Sequence, residues 1–171
     1  MIAVREGEVQ KLRFLFERYQ VPLYNYFLRL TSNQVLAEDF VQDVFMRILK
    51  YKHTYRGDGT FKGWLFNLAR NVCMDHFRKK KWEFSGVDDH LDFLIDTEAE
   101  DSLEQTLRAE NIQSALDTLS LEYREVLILS RYHDLKYEEI ATMLGCTVGN
   151  VKIRVHRAIK ALRKAFLSIE Q

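Results

Sequence analysis

A chain of 171 residues, 47% apolar and 29% charged, carries enough apolar side chain for one ordinary domain or two small ones, and this composition excludes global disorder. Twenty-five Lys and Arg balance twenty-five Asp and Glu, but the zero net charge conceals segregation. Lys11 to Trp82 holds fourteen basic against six acidic residues, a local +8, whereas Glu83 to Glu110 holds one Arg against ten acidic residues, a local −9.

One proline and seven glycines, with long stretches of apolar residues at helical rather than alternating spacing, predict an all-α protein. No apolar run approaches the roughly 20 residues of a membrane span, and Met1 to Glu8 lacks the apolar core of a signal peptide. The expectation is a cytoplasmic chain without membrane insertion. Cys73 and Cys146 are far apart and have neither a CxxC partner nor a histidine pair nearby. They read as packing residues, and no metal or other cofactor is expected.

In chain order, helical patterning runs through Val9, Leu12, Leu15, Phe16 and Tyr19, breaks at Val21-Pro22 and resumes at Leu23, Tyr24, Phe27 and Leu28. Pro22 then belongs in the first turn of a second helix, where its missing N–H costs nothing. Thr31-Ser32-Asn33 offers caps for a third helix, whose apolar face is Leu36, Phe40, Val41, Val44, Phe45, Ile48 and Leu49. Opposite lie Glu38, Asp39, Gln42, Asp43 and Arg47, either a solvated face or a docking stripe.

The loop His53 to Thr60 combines turn residues Gly57, Asp58 and Gly59 with Tyr55 and Arg56, side chains of the kind that hold unstacked bases. A helix over Phe61 to Lys81 follows, with Phe61, Trp64, Leu65, Leu68 and Val72 on one stripe and Asn67, Asn71, Met74 and Arg78 on another. Asparagine can pair with base edges, and Arg70, Arg78, Lys79, Lys80 and Lys81 can neutralise phosphates. Trp64 fits either the core or a base-stacking role.

The acidic stretch 83–110 reads as a connector between two domains, 1–82 and 111–171. About 25 extended residues span roughly 80 Å, so one chain can reach two DNA sites a couple of turns apart. Either the linker merely solubilises, or its charge lets it occupy a basic channel otherwise filled by nucleic acid.

Ile112, Ala115, Leu116 and Leu119 predict a short helix, and Tyr123, Val126, Leu127 and Leu129 a second. Tyr137 to Val151 reads as a helix-turn-helix: Ala141 permits close approach, Gly145 turns the chain, Thr147 caps, and Ile140, Leu144, Val148 and Val151 fill the space between the helices. In the last helix Val151, Val155, Ile159 and Leu162 are expected inward. From Cys146 to Ala165 there are six basic residues, Arg154, Arg157 and Lys160 among them, and no acidic one, the pattern of a helix that faces phosphates.

The runs Ala37-Glu38-Asp39-Phe40-Val41-Gln42-Asp43-Val44-Phe45, Phe61-Lys62-Gly63-Trp64-Leu65, Ala69-Arg70-Asn71 and Asp75-His76-Phe77-Arg78 resemble the first domain of extracytoplasmic-function sigma factors of bacterial RNA polymerase. Tyr123-Arg124-Glu125-Val126, Tyr137-Glu138-Glu139-Ile140-Ala141 and Val151 to Ala158 resemble the family's second domain. The resemblance covers about Leu12 to Lys81 and Ile112 to Lys164. It implies a four-helix sigma region 2 domain and a helix-turn-helix sigma region 4 domain joined by the acidic linker.

The implied function is to bind core RNA polymerase, direct it to promoter DNA and help open that DNA, commonly under the control of an anti-sigma protein. By position, Asp39, Gln42, Asp43 and Arg47 would meet polymerase. Tyr55, Arg56, Asn67, Arg70, Asn71, Arg78 and Lys79 would meet the −10 element, and Lys152, Ile153, Arg154, His156 and Arg157 the −35 duplex. Ile153 and His156 are unusual readers, and His156 is equally compatible with a plain surface position. A helix-turn-helix regulator that does not bind polymerase is the competing reading. An enzyme is disfavoured, because no nucleophile elbow, phosphate loop or metal-ligand pair occurs.

Overall fold

The computed structural model describes residues 1–83 and 103–169. All their regular structure is helical, and no described helix is long and apolar enough to cross a membrane. They group into two compact units, 1–28 with 33–83 and 29–32 with 103–169. The linker expected at 83–110 lies for the most part outside the described residues, and its last eight positions open a helix.

The first unit comprises α1 (Ile2–Arg5), α2 (Leu12–Thr31) as far as Leu28, α3 (Gln34–Tyr51) and α4 (Phe61–Glu83). Leu23, Tyr26 and Phe27 of α2, Val44 and Ile48 of α3, and Leu65, Phe66 and Ala69 of α4 are wholly buried. Tyr26 meets Phe66 edge-on at 5.4 Å, and Phe27 meets Phe40 at 5.1 Å. Each such side chain contributes about 1.5–3 kcal/mol through burial, so the aromatic centre holds the three long helices together. Asn33 caps α3, its side chain accepting from the Leu36 N–H at 2.9 Å.

Pro22 stands inside a helix where the periodicity placed a boundary. Val21-Pro22 does not divide two helices; α2 runs unbroken through Pro22. An internal proline costs about 3 kcal/mol through its lost N–H and its clash with the carbonyl four residues back. The buried Leu23, Tyr26 and Phe27 beyond it, in register with the first half of the helix, outweigh that cost.

The second unit comprises α5 (Leu103–Asp117), α6 (Leu121–Leu127), a π-helical turn Ile128–Tyr132, α7 (Tyr137–Leu144) and α8 (Val148–Ile169). Helix α8 packs against α5, α6 and α7. The Arg124 guanidinium closes the α5–α6 turn, 2.9 Å from the Asp117 carboxylate and donating to the Asp117 carbonyl at 2.7 Å. Burial lowers its pKa, and the Asp117 charge opposes that shift.

The inward stripe of α8 also differs from expectation. Val151, Val155 and Ala158 are buried, whereas Ile159 is 41% exposed. Repeated steps of four overshoot a 3.6-residue turn by about 40° each, so 151-155-158 stays on the core side and 159 rotates outward.

Replacing Pro22 with Ala restores an N–H donor and removes the ring clash, at the cost of a more flexible unfolded chain. The expected outcome is a first unit more stable by about 1–3 kcal/mol, read as a higher urea midpoint. An unchanged midpoint would mean that the helix already accommodates the ring without strain.

Candidate nucleic-acid interface

Helix α4 gives one face to the core and the other to solvent. Leu65, Phe66, Ala69, Val72 and Cys73 are buried, while Asn67, Asn71, Arg78 and Lys79 are exposed. The spacing of Asn67, Asn71 and Arg78 keeps them on one outer stripe. Arg70 is half-buried at the flank of that stripe.

Beside the stripe lies an open cleft of about 430 Å³, lined by Arg47, Tyr51, Thr54, Trp64, Asn67, Leu68, Asn71 and Asp75. Two carboxamides supply donor and acceptor pairs, and Tyr51 and Trp64 supply aromatic surface. Together these groups suit a planar, hydrogen-bonding ligand such as a nucleobase. Trp64 therefore belongs to both settings that the sequence left open: its half-buried ring packs on Tyr55 at 5.4 Å and on Phe61 at 5.9 Å, and it also lines the cleft.

An ion cluster closes the far end of the cleft. The Asp75 carboxylate takes Arg47 Nη1 at 2.8 Å on one oxygen and Arg78 Nη2 at 2.8 Å on the other. Arg47, which sequence spacing placed on the α3 stripe, thus reaches α4. Asp39, Gln42 and Asp43 do lie exposed on α3. The apolar members of that surface, Val35 at 69% and Met46 at 67% exposure, escaped the sequence reading. Met46 was findable, being four residues beyond Gln42 and three beyond Asp43.

Tyr55 differs most from its expected placement. Only 9% exposed, its ring packs edge-on against Phe61 at 5.8 Å and against Trp64. It anchors the loop and does not offer a face for stacking; Arg56, the next residue, is exposed.

In the second unit the turn after α7 is closed by main-chain bonds. Gly145 takes φ +61°, the Cys146 N–H donates to the Ala141 carbonyl at 3.0 Å, and the Gly145 N–H donates to the Thr142 carbonyl at 3.3 Å, the pairing of a Schellman cap. Thr147 caps α8, its hydroxyl accepting from the Asn150 N–H at 3.2 Å. With Val151 and Val155 inward, Lys152, Ile153, His156 and Arg157 are exposed and Arg154 is half-buried beside them. Among the described residues no cluster of His, Cys, Asp and Glu is arranged to hold a metal ion, and neither cysteine is in a disulfide.

Residues 15–83 match the family model for Sigma-70 region 2, and residues 109–162 that for Sigma-70, region 4. The chain is 32% identical to the ECF RNA polymerase sigma factor SigL of Mycobacterium tuberculosis, over 92% of this chain and 89% of that protein. It is 29% identical to the RNA polymerase sigma factor YlaC of Bacillus subtilis, over 88% of each. Among solved structures it resembles the sigma factor RpoE of Bartonella quintana, crystallised with the anti-sigma factor NepR. The TM-score is 0.76 at 25% identity, covering 95% of this chain and 99% of that one.

Replacing Asp75 with Ala removes both ion pairs. Because these charges are partly exposed, the expected loss is about 1 kcal/mol of stability, checked by urea unfolding at low and at high salt. A loss that does not shrink as salt rises would assign the effect to packing instead.

Proposed function

The chain belongs to the extracytoplasmic-function sigma factors of bacterial RNA polymerase, and from that membership we propose how its surfaces divide the work. A sigma factor directs core polymerase to promoters as an initiation factor; it is not an enzyme. In this reading residues 1–82 dock on polymerase and capture the −10 element, residues 111–171 bind the −35 duplex, and 83–110 link them. The protein works in the cytoplasm, without membrane insertion.

Asp39, Gln42 and Asp43, with the exposed Met46 beside them, form the polymerase-facing surface. Apolar side chains there supply burial and the carboxylates supply steering at the rim. Arg47 borders this surface and reaches the −10 cleft through Asp75. Asn67 and Asn71 read an unpaired base in the cleft, Arg56 and the anchored Tyr55 form the adjoining loop, and Arg70, Arg78 and Lys79 hold phosphates. Capturing an extruded base offsets part of the few kcal/mol needed to unstack it, so binding energy drives strand separation and no nucleotide is hydrolysed.

On α8, Lys152, Arg154, Arg157 and His156 meet the duplex, and Ile153, 50% exposed, contacts an apolar base edge such as a thymine methyl. The crystallised Bartonella quintana relative supports control by an anti-sigma protein here too. The observation that carries the reading is the cleft itself: two exposed asparagines and two aromatic side chains beside an arginine cluster, in the unit that matches region 2.

Run-off transcription with purified core polymerase, followed by mapping of start sites, tests the whole reading. Initiation must depend on this chain, and failure to associate with the core would overturn it. Asn71→Ala and Arg78→Ala are expected to lower promoter opening more than duplex binding; equal loss of both would remove these residues from the melted strand. Arg157→Ala is expected to weaken −35 duplex binding by about 1–3 kcal/mol if it bonds a base edge, measured by titration at fixed salt.

A further inference from the structure

The loop between α3 and α4 is exposed from Arg56 to Gly59, with Gly57 at φ +83°. Having no regular hydrogen bonding of its own, such a loop takes its course from how its two ends are held. At the far end the Thr60 hydroxyl accepts from the Gly63 N–H at 3.0 Å, and the Thr60 carbonyl accepts from the Trp64 N–H at 3.2 Å. That end is part of the start of α4.

The near end is held from fifty positions away. Arg5 Nη1 donates to the Tyr55 carbonyl at 2.8 Å. The Tyr55 carbonyl and the Arg56 N–H belong to one planar peptide unit, so the bond that fixes the carbonyl also fixes the direction in which Arg56 leaves the core. The buried Tyr55 ring holds the side-chain half of the same residue. Helix α1 is itself seated by Val4, 1% exposed. Ile2 gives it a second border on the loop, with its Cδ1 3.8 Å from where a Cβ on Gly57 would stand. The guanidinium's other neighbour, Glu6 at 3.5 Å, is 62% exposed at the side chain and contributes little.

We propose that Arg5 is a positioning residue for promoter opening. The turn Ile2–Arg5, which lies ahead of the residues matched to region 2, braces the Arg56 loop in the conformation that receives an unpaired −10 base, without touching DNA. This rests on the reading of that loop as part of the −10 site. The brace acts through geometry: a charge-assisted hydrogen bond to a main-chain oxygen is stronger and more directional than a neutral one, and removing it lets the Tyr55–Arg56 peptide rotate.

The test uses the full chain as Arg5→Ala, Arg5→Lys, Arg56→Ala and the Arg5→Ala/Arg56→Ala double variant. Amide exchange is followed on the protein alone. Open-complex formation with core polymerase is compared with affinity for −35 duplex. Arg5→Ala is expected to speed exchange of the loop's Tyr55 amide, which donates to the Lys52 carbonyl at 3.3 Å, roughly tenfold, as loss of one charge-assisted bond predicts, with the α3 and α4 amides unchanged. Opening falls several-fold, −35 affinity holds, and Arg5→Lys recovers much of both losses because an ammonium can donate to the same carbonyl. The double variant opens no worse than Arg56→Ala alone.

Unchanged loop exchange, or losses that multiply in the double variant, overturns the proposal. So does general loss of protection across α3 and α4, which would make Arg5 an ordinary stabilising residue. Opening that falls with Arg56→Ala but not with Arg5→Ala defeats the brace and leaves the loop assignment standing. Opening unaffected by Arg56→Ala removes the loop from the −10 site, and the brace's role in opening goes with it.

Discussion

The division of α4 between two environments is the constraint on which the first unit depends. Leu65, Phe66, Ala69, Val72 and Cys73 must meet α2 and α3 to form a core at all, and a helix of 3.6 residues per turn then has no freedom over where Asn67, Asn71 and Arg78 point. Core packing therefore aims the polar stripe. The same logic holds in α8, where Val151, Val155 and Ala158 set the outward direction of Lys152, His156 and Arg157. In each unit the surface proposed to meet nucleic acid is the reverse side of a packed helix, held by many small apolar contacts.

Electrostatics refines that arrangement within the first unit. A cluster of uncompensated arginines beside a cleft would repel itself and hold any polyanion indiscriminately. Asp75 moderates this by sharing its two oxygens between Arg47 and Arg78. It also links the end of α3 to the outer stripe of α4, so Arg47, beside the proposed polymerase surface, and Arg78, in the proposed −10 site, touch a common carboxylate. The zero net charge of the chain is thus a sum over differently charged parts and says little about any one surface.

Much of this was legible in the sequence because it depends on local rules. The caps at Asn33 and Thr147, the αL glycine at 145 and the outward stripe of α4 all follow from residue chemistry at fixed offsets. What was not legible depended on contacts distant in sequence. Pro22 looked like a helix boundary because a proline is weighed against its neighbours, whereas the burial of Leu23, Tyr26 and Phe27 against other helices decided the outcome. Tyr55 looked like a base-stacking residue because its loop is polar, and Phe61 and Trp64 had already taken its ring. Spacing puts Arg47 on the α3 stripe, and only the structure shows that it also pairs with a carboxylate twenty-eight positions later. The Ile159 assignment failed for a simpler reason, a count in fours where the helix needs alternating threes and fours.

The cap after α7 has a corollary. Its closing bonds run from the Gly145 and Cys146 amides to the Thr142 and Ala141 carbonyls, so the bend asks for one glycine and almost nothing of its neighbours' side chains. The angle at which α8 is presented is accordingly insulated from what α8 displays. The outer residues of α8, proposed above to read duplex DNA, can therefore be exchanged at little structural risk on an unaltered hinge.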